Sequence, residues 1–432
     1  MSRPTRGLNR RELLRNTALA GVGVYVAAGG RAFGAANEKL NIACIGVGGR
    51  GGANLGGVGG ENIVALCDCD DKRAEGAFKK YPKVKKYRDF RRMLDELDKS
   101  IDAVVVSTPD HTHAHPAMTA MGMGKHLYCE KPMAHAVSEV HKMMRLAVEK
   151  KLATQLGVQR HTIGNVHRVV ELIKGKAIGE VRECHAWIGG DRGMPAVPTD
   201  FPPVPPHLDW DLWLGPAKER PYSPAYCPYN WRFWWDFGTG ETGNWGCHIL
   251  DIPYWALDLK HVVKVSASGP PVDPQRTPKS MDVRFEFPAR GDLPPLVLHW
   301  YHTKSGPPIL KENDLPHPGS GVLFVGSEGM LLCEFGKRKL YPEKKFADYQ
   351  PPEPTIPDSP GFYNEWIAAC KGGEPATCNF DYSGPMAETV LLGNVAYRVG
   401  EAFTWDAAAV KSPDCKAIEP LINPTYRKGW PL

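Results

Sequence analysis

The stretch "LNIACIGVGGRGG", residues 40–52, decides how the rest of the chain is read. Five apolar or small residues run up to Ile45. Then Gly46-x-Gly48-x-x-Gly51 follows at once, and the helical "ANLGGV" comes next. A strand, a glycine-rich turn and a helix start in that order form a dinucleotide fingerprint, because backbone N–H groups at a helix N-terminus can approach a pyrophosphate only where side chains are missing. Gly46, Gly48, Gly49, Arg50 and Gly51 are therefore candidate cofactor contacts. Asp68 ends the next apolar run, "NIVALCD". A carboxylate there can accept from a ribose diol and repels a 2′-phosphate, which favours NAD over NADP. Arg50, able to neutralise a phosphate, keeps NADP as the lesser alternative.

Downstream, the alternation continues. "VKKY" precedes the helical "DFRRMLDEL", "IDAVVVSTP" precedes "AHPAMTAMGMG", and "HLYCEKP" precedes "SEVHKMMRLAVEKK", before "ATQLGVQ" closes the series. Repeated strand–helix units predict an α/β, doubly wound parallel sheet over residues 37–160. After Arg160 the texture changes. "VRECHAWIG", "KVSASG", "MDVRFEF" and "LVLHWYH" read as longer strands between Pro-rich loops, with helices at "NVHRVVELIKG", "HILDIPYWALDL", "GFYNEWIAACKGG" and "MAETVLLGNVAYRVG". Residues 161–432 are expected to form an α+β domain on an open, largely antiparallel sheet.

Charge and composition exclude several functions. The 432 residues are 42% hydrophobic and 23% charged, ordinary for a globular enzyme. The formal net charge is +5, and residues 1–36 carry all of it: six arginines against Glu12. The remainder is near neutral, so no basic field recruits nucleic acid or anionic lipid. The first segment, "NRRELLRNTALAGVGVYVAAGG", resembles a twin-arginine export signal, although Asn9 precedes the pair and no Phe follows it. Its apolar run is shorter than the ~20 residues of a spanning helix, so no integral span is expected. Cleavage after Ala36, use of the twin-arginine machinery and a periplasmic destination are the expectations. The plainer alternative is an amphipathic start that stays attached. Eleven cysteines show no paired framework. Folding before export, in a reducing cytosol, predicts mostly free, buried thiols.

Two stretches carry the chemistry. "STPDHTHAHPA", residues 107–117, ends the fourth strand, where ligands sit in open α/β sheets. Thr108, Pro109 and His113 are candidates there. His111, His113 and His115 alternate, but a catalytic metal takes three well-placed ligands and no matching cluster stands nearby, so no metal is expected. In "YCEKPMA", residues 128–134, Glu130 and Lys131 follow an apolar strand directly. Charges in that position need partners or a ligand, since burying an unpaired charge is costly.

The Gly46–Gly51 loop, "TPDHTHA", "EKP", "QLGVQR" and "GNWGCHILD", in this order, resemble the Gfo/Idh/MocA family (glucose–fructose oxidoreductase, inositol dehydrogenase, rhizopine catabolism). "WDLWLGPA", "WRFWWDFGTG" and "LLGNVAYRVG" look like its exported, sugar-associated branch. The resemblance implies that Glu130 contacts the cofactor near the nicotinamide ribose. It also implies that Lys131 faces the substrate hydroxyl as the catalytic amine, across a Lys131-Pro132 bond that is often cis. A partly desolvated lysine beside an oxidised nicotinamide should have a lowered pKa, which suits proton transfer. The family pattern of Asp then His four residues later maps onto Asn244 and His248. Asn244 departs from it, since an amide binds a hydroxyl but takes no proton. His248 is then the second acid/base. Asp251 either orients His248 or faces solvent. Arg160, His161, Trp231 and Arg232 are further substrate candidates, with Trp235 the alternative to Trp231 as a sugar-stacking face.

These readings imply an exported, NAD-dependent oxidoreductase acting on a hydroxyl of a sugar, cyclitol or glycoside. It would hold its cofactor tightly, because free nicotinamide cofactor is undependable outside the inner membrane, and would run a closed hydride cycle. A glycosidase or lyase using NAD transiently, and a non-catalytic sugar-binding protein, are the alternatives. The open sheet suggests a homo-oligomer built face to face.

Overall fold

Six short strands open the described part of the chain: β1 (Asn41–Ile45), β2 (Asn62–Cys67), β3 (Lys85–Tyr87), β4 (Ala103–Val106), β5 (His126–Cys129) and β6 (Thr154–Leu156). They form one parallel sheet in the order β3-β2-β1-β4-β5-β6. The expected doubly wound domain is therefore present. The order reverses between β1 and β4, and a crevice opens beyond their C-terminal ends. β4 reads AVVV with all four residues buried, as a central parallel strand covered on both faces requires. The computed structural model describes residues 39–432, so the signal-like segment 1–36 lies outside the described residues. No described helix is long and apolar enough to cross a membrane.

The second sheet has eight strands: β7 (Val181–Ile188), β8 (Lys264–Ser268), β9 (Met281–Phe287), β10 (Leu296–His302), β11 (Ser320–Gly326), β12 (Met330–Cys333), β13 (Arg338–Tyr341) and β14 (Phe403–Thr404). Their order is β13-β12-β11-β7-β10-β9-β8-β14. Only the β7–β10 pair is parallel; the other pairs are antiparallel. The period-2 pattern of β9 explains its seating. Met281, Val283, Phe285 and Phe287 are buried, while Asp282 and Arg284 are exposed between them. The strands β11–β13, which carry no sequence expectation above, extend the sheet beyond β7.

One long helix ties the two sheets together. Phe380–Val399 starts at Asn379, whose side chain accepts from the N–H groups of Asp381 and Tyr382, and stops at Gly400 in the left-handed region. It packs on Val137–Glu149 of the first domain and on Cys247–Ala256 of the second. The outer edge of β6 is occupied by the C-terminal half of the chain: Leu156 N–H donates to Cys378 O, and Phe380 N–H donates to Thr154 Oγ1, both at 3.0 Å. An otherwise open strand edge is thereby covered. All eleven cysteines are free, and all but Cys69 are buried, in line with the expectation of mostly free, buried thiols.

Candidate functional site

A cavity of about 860 Å³ runs from the glycine-rich turn, over the C-terminal ends of β1, β2 and β4, to the start of the helix Cys247–Ala256. Gly46, Gly48, Gly49, Arg50, Asp68, Thr108, Pro109, His113, Glu130, Lys131, Arg160, Trp231, Arg232, Asn244 and His248 all line it. Residues expected to act together from separate parts of the sequence thus share one continuous space. Gly51 stands just behind the lining. A Cβ there would lie 1.8 Å from Gly46 O, so only glycine lets the helix Arg50–Gly57 start against the turn.

At the far end, Asp68 Oδ2 accepts from Val47 N–H at 2.9 Å and Oδ1 accepts from Asp70 N–H at 3.0 Å. Burial outweighs these bonds and raises its pKa to about 6. The side chain therefore stiffens the turn while its carboxylate lines the cavity. Arg73, Arg88 and Trp430 also line this end. Trp430 comes from the last turn of the chain and stacks under Arg91, 4.4 Å from ring centre to guanidinium. Nothing in its local sequence signalled a place beside the cavity.

In the middle, Glu130 is buried and heavily bonded. Its Oε1 accepts from Asn54 Nδ2 at 3.0 Å and Gln159 Nε2 at 2.7 Å. Asn54 in turn accepts from Tyr363 OH at 2.8 Å. The carboxylate sits on Gly157, where a Cβ would come within 2.6 Å of Oε1. So Glu130 joins the helix after the glycine turn, the end of β6 and the C-terminal half. Gln159 stands inside the "QLGVQR" motif, which was the available signal for it.

The reactive end is built around Lys131. The Lys131-Pro132 bond is cis, as the resemblance implied. Lys131 Nζ donates to Asn244 Oδ1 at 3.2 Å; Asn244 Nδ2 donates to Glu241 Oε2 at 3.0 Å; and Arg192 closes the relay on Glu241 Oε1. Burial holds the Lys131 ammonium below the ordinary lysine range; Glu130 and Asp110 pull the other way, and Arg232 adds to the lowering. Asn244 belongs to a π-helical turn, Thr242–Gly246, that leads directly into Cys247–Ala256. Such turns widen a helix where side chains must converge. His248 follows on the first helical turn. It is buried, and its Nδ1 has no hydrogen-bond partner among the described residues. Burial, then the nearby Lys131, Arg160 and Arg50 charges, hold the imidazole well below its usual pKa, so it is neutral.

Three expectations are corrected. His161 does not reach the cavity. It is 1% exposed, its Nδ1 faces the Asp251 carboxylate at 2.9 Å, and its ring stacks on Trp255 at 4.2 Å. Asp251 consequently neither orients His248 nor faces solvent: it is 1% exposed and binds His161 and Tyr382 OH. Trp235 packs beside Tyr397 and Arg398, away from the main cavity, and its Nε1 donates to Asp273 O. Trp231 is the member of that pair that lines the cavity. The alternating histidines are directed at backbone carbonyls: His111 at Phe237 O and Trp213 O, His113 at Pro132 O and Thr108 O, His115 at Trp430 O.

Residues 40–158 match the NAD-binding Rossmann fold of the Gfo/Idh/MocA oxidoreductase family, and residues 185–287 match its C-terminal alpha/beta domain. The chain belongs to this family. Among curated Gfo/Idh/MocA-like relatives, an inositol 2-dehydrogenase of Salmonella typhimurium is 27% identical over 130 residues, 30% of this chain and 38% of that protein. A glycosyl hydrolase family 109 protein of Solibacter usitatus is 29% identical over 203 residues, 40% of this chain and 44% of the relative. The matched part spans 29% and 38% of the length of the first curated relatives. The fold is shared with the WlbA dehydrogenase of Bordetella pertussis, solved with NADH and UDP-GlcNAcA (TM-score 0.62, 15% identity, 85% of this chain and 99% of that one). It is shared too with an NAD-binding protein from Listeria innocua (TM-score 0.59, 18% identity, 85% and 97%).

The residues fit the dinucleotide of this family. The glycine turn leaves its backbone bare at a helix N-terminus, Asp68 offers a ribose acceptor, and the cavity continues past Glu130 to Lys131.

Proposed function

We propose that the protein is an NAD-dependent oxidoreductase that acts on a CH–OH group of a sugar, cyclitol or glycoside and keeps its cofactor bound between turnovers. The observation that carries this reading is the convergence of Lys131, Asn244 and His248 in the cavity that begins at the glycine turn. NAD, when bound, supplies the hydride acceptor. Lys131 Nζ, whose pKa burial lowers, takes the hydroxyl proton. Asn244 aims that amine by accepting one of its N–H bonds, and Glu241 with Arg192 fixes the amide in turn. His248, neutral and with Nδ1 unengaged, is a second site for the proton. Trp231, which lines the cavity beside Arg232, is the candidate aromatic contact for the sugar.

Mass spectrometry of nucleotide released on denaturing the purified protein tests the reading. NAD is the expected species; release of no NAD or NADP would reject it. The signal-like segment supports export in a folded, cofactor-loaded state. Turnover without added NAD and without net NADH is expected of a closed hydride cycle, and dependence on stoichiometric soluble NAD would defeat that part. Loss of export on changing Arg10 and Arg11 to Lys would support the twin-arginine route; continued export would point to another.

The resemblance to the Solibacter usitatus glycosyl hydrolase family 109 protein favours a second reading, redox-neutral cleavage. Oxidising one ring carbon acidifies the neighbouring C–H, elimination follows, and the hydride is returned. Cleavage of a glycoside with no net NADH distinguishes it from net oxidation. The open second sheet supports a homo-oligomer.

A further inference from the structure

Two guanidinium groups flank the reactive end of the cavity and lack the carboxylate partners that several other arginines of this half possess. Arg168, Arg192, Arg220 and Arg276 each pair with a carboxylate: Glu171, Glu241, Asp236 and Asp273 respectively. Among the described residues, Arg160 and Arg232 make no salt bridge within 4.0 Å. Aromatic faces hold them instead. Arg160 lies 4.3 Å from the centre of the Phe335 ring and 5.3 Å from that of Trp245. Arg232 lies 4.2 Å from Trp231 and 4.6 Å from Tyr229, with a single hydrogen bond, Nη1 to Tyr229 O at 3.3 Å.

Stacking occupies the faces of a guanidinium and leaves its N–H edges free. Both residues line the cavity with Lys131 and His248, Arg232 acting electrostatically on Lys131 and Arg160 on His248. The acids of this region are already engaged. Glu130 accepts from Asn54 and Gln159, Asp110 accepts from Thr239, and Glu241 is paired with Arg192. Arg50, beside the glycine turn, is placed for a cofactor phosphate. A neutral sugar would leave two partly buried cations with free N–H edges and no counter-charge in the cavity.

Building on the oxidoreductase reading, we propose that the substrate carries an oxyanion substituent, a carboxylate or a sulfate or phosphate ester on the sugar, gripped by the free edges of Arg160 and Arg232. Their planar forks suit such a group, and charge-assisted bonds of this kind are about twice as strong as neutral ones. The pair then selects among sugars by charge, while Lys131 and Asn244 address the reacting hydroxyl.

The test is fluorescence titration of the NAD-loaded protein with methyl β-glucuronide, methyl β-glucoside 6-sulfate, the corresponding 6-phosphate and the neutral methyl β-glucoside, with the galacto series in parallel. At least one charged probe should bind about tenfold or more tighter than its neutral parent. That preference should shrink with salt and fall toward unity in Arg160→Gln and Arg232→Gln, with partial recovery in the Lys variants. Thermal midpoints and retained NAD report whether the variants are folded. The charged arms tell carboxylate from sulfate and phosphate. Equal binding of charged and neutral probes, or a preference that survives both substitutions, overturns the clamp. A charge preference without any redox chemistry would reject the oxidoreductase reading and keep the clamp. Oxidation of neutral sugars as efficient as that of charged ones would do the reverse.

Discussion

Lys131 Nζ donates to Asn244 Oδ1 across 3.2 Å, and this bond joins the strand end of the Rossmann domain to the π-helical turn of the second. The expected family residue at Asn244 is an aspartate. An amide there orients the amine without adding a negative charge that would offset the lowering of its pKa by burial.

A carboxylate introduced at this position should reverse that. In Asn244→Asp the new charge stabilises the ammonium, so the pKa of Lys131 rises from its depressed value. The base form is lost below that pKa. The alkaline rise of kcat for hydroxyl oxidation should therefore move to higher pH. A pH profile unmoved by the substitution would show that Lys131 is not the titrating base.

Lys131→Met removes the amine and keeps most of the volume. Oxidation should fall by about 10²–10⁴, the usual worth of a positioned general base. Bound NAD should persist, because Asp68 and the glycine turn are untouched. An active variant, measured by single-turnover absorbance of the nicotinamide, would remove the amine from the mechanism.

Asp68 carries two linked expectations. Its pKa of about 6 in the free protein means the carboxylate is ionised above that value and protonated below it. NAD affinity should decline as pH falls through about 6, since the protonated group is a poorer acceptor. Asp68→Ala should weaken NAD by about tenfold or more, weaken NADP less, and flatten this pH dependence. Titrations of both cofactors from about pH 5 to about pH 8 decide it; equal losses would make Asp68 a purely structural brace of Val47 and Asp70.

His161 should behave as a core residue. His161→Ala strips the buried Asp251 carboxylate of one partner and the Trp255 ring of its stack. A loss of about 2–4 kcal/mol of stability is expected, read as a lower thermal midpoint. KM for the sugar should stay near that of the parent. A raised KM at unchanged stability would return His161 to the substrate site.

The succession of strands and helices through the first domain, the glycine turn and the cavity-lining set from Gly46 to Lys131 were legible because they rest on local rules. Period, turn chemistry and position at a strand end act over a few residues and need no distant partner. Arg160 and His161 show where that stops. They are adjacent, yet a tight helical turn over Gln159–Thr162 sets neighbouring side chains about 120° apart, so one faces the cavity and the other the core. Which one faces which way depends on Trp255 and Asp251, about ninety residues on, and on Phe335 farther still. The same holds for Trp235 against Trp231, for the Arg192–Glu241 brace behind Asn244, and for Trp430 at the far end of the cavity. Their roles come from packing between segments remote in sequence. Local sequence determined the elements of the first domain and where a dinucleotide would lie; only the tertiary contacts decided which of several chemically suitable side chains were left without a protein partner, and so free for a ligand.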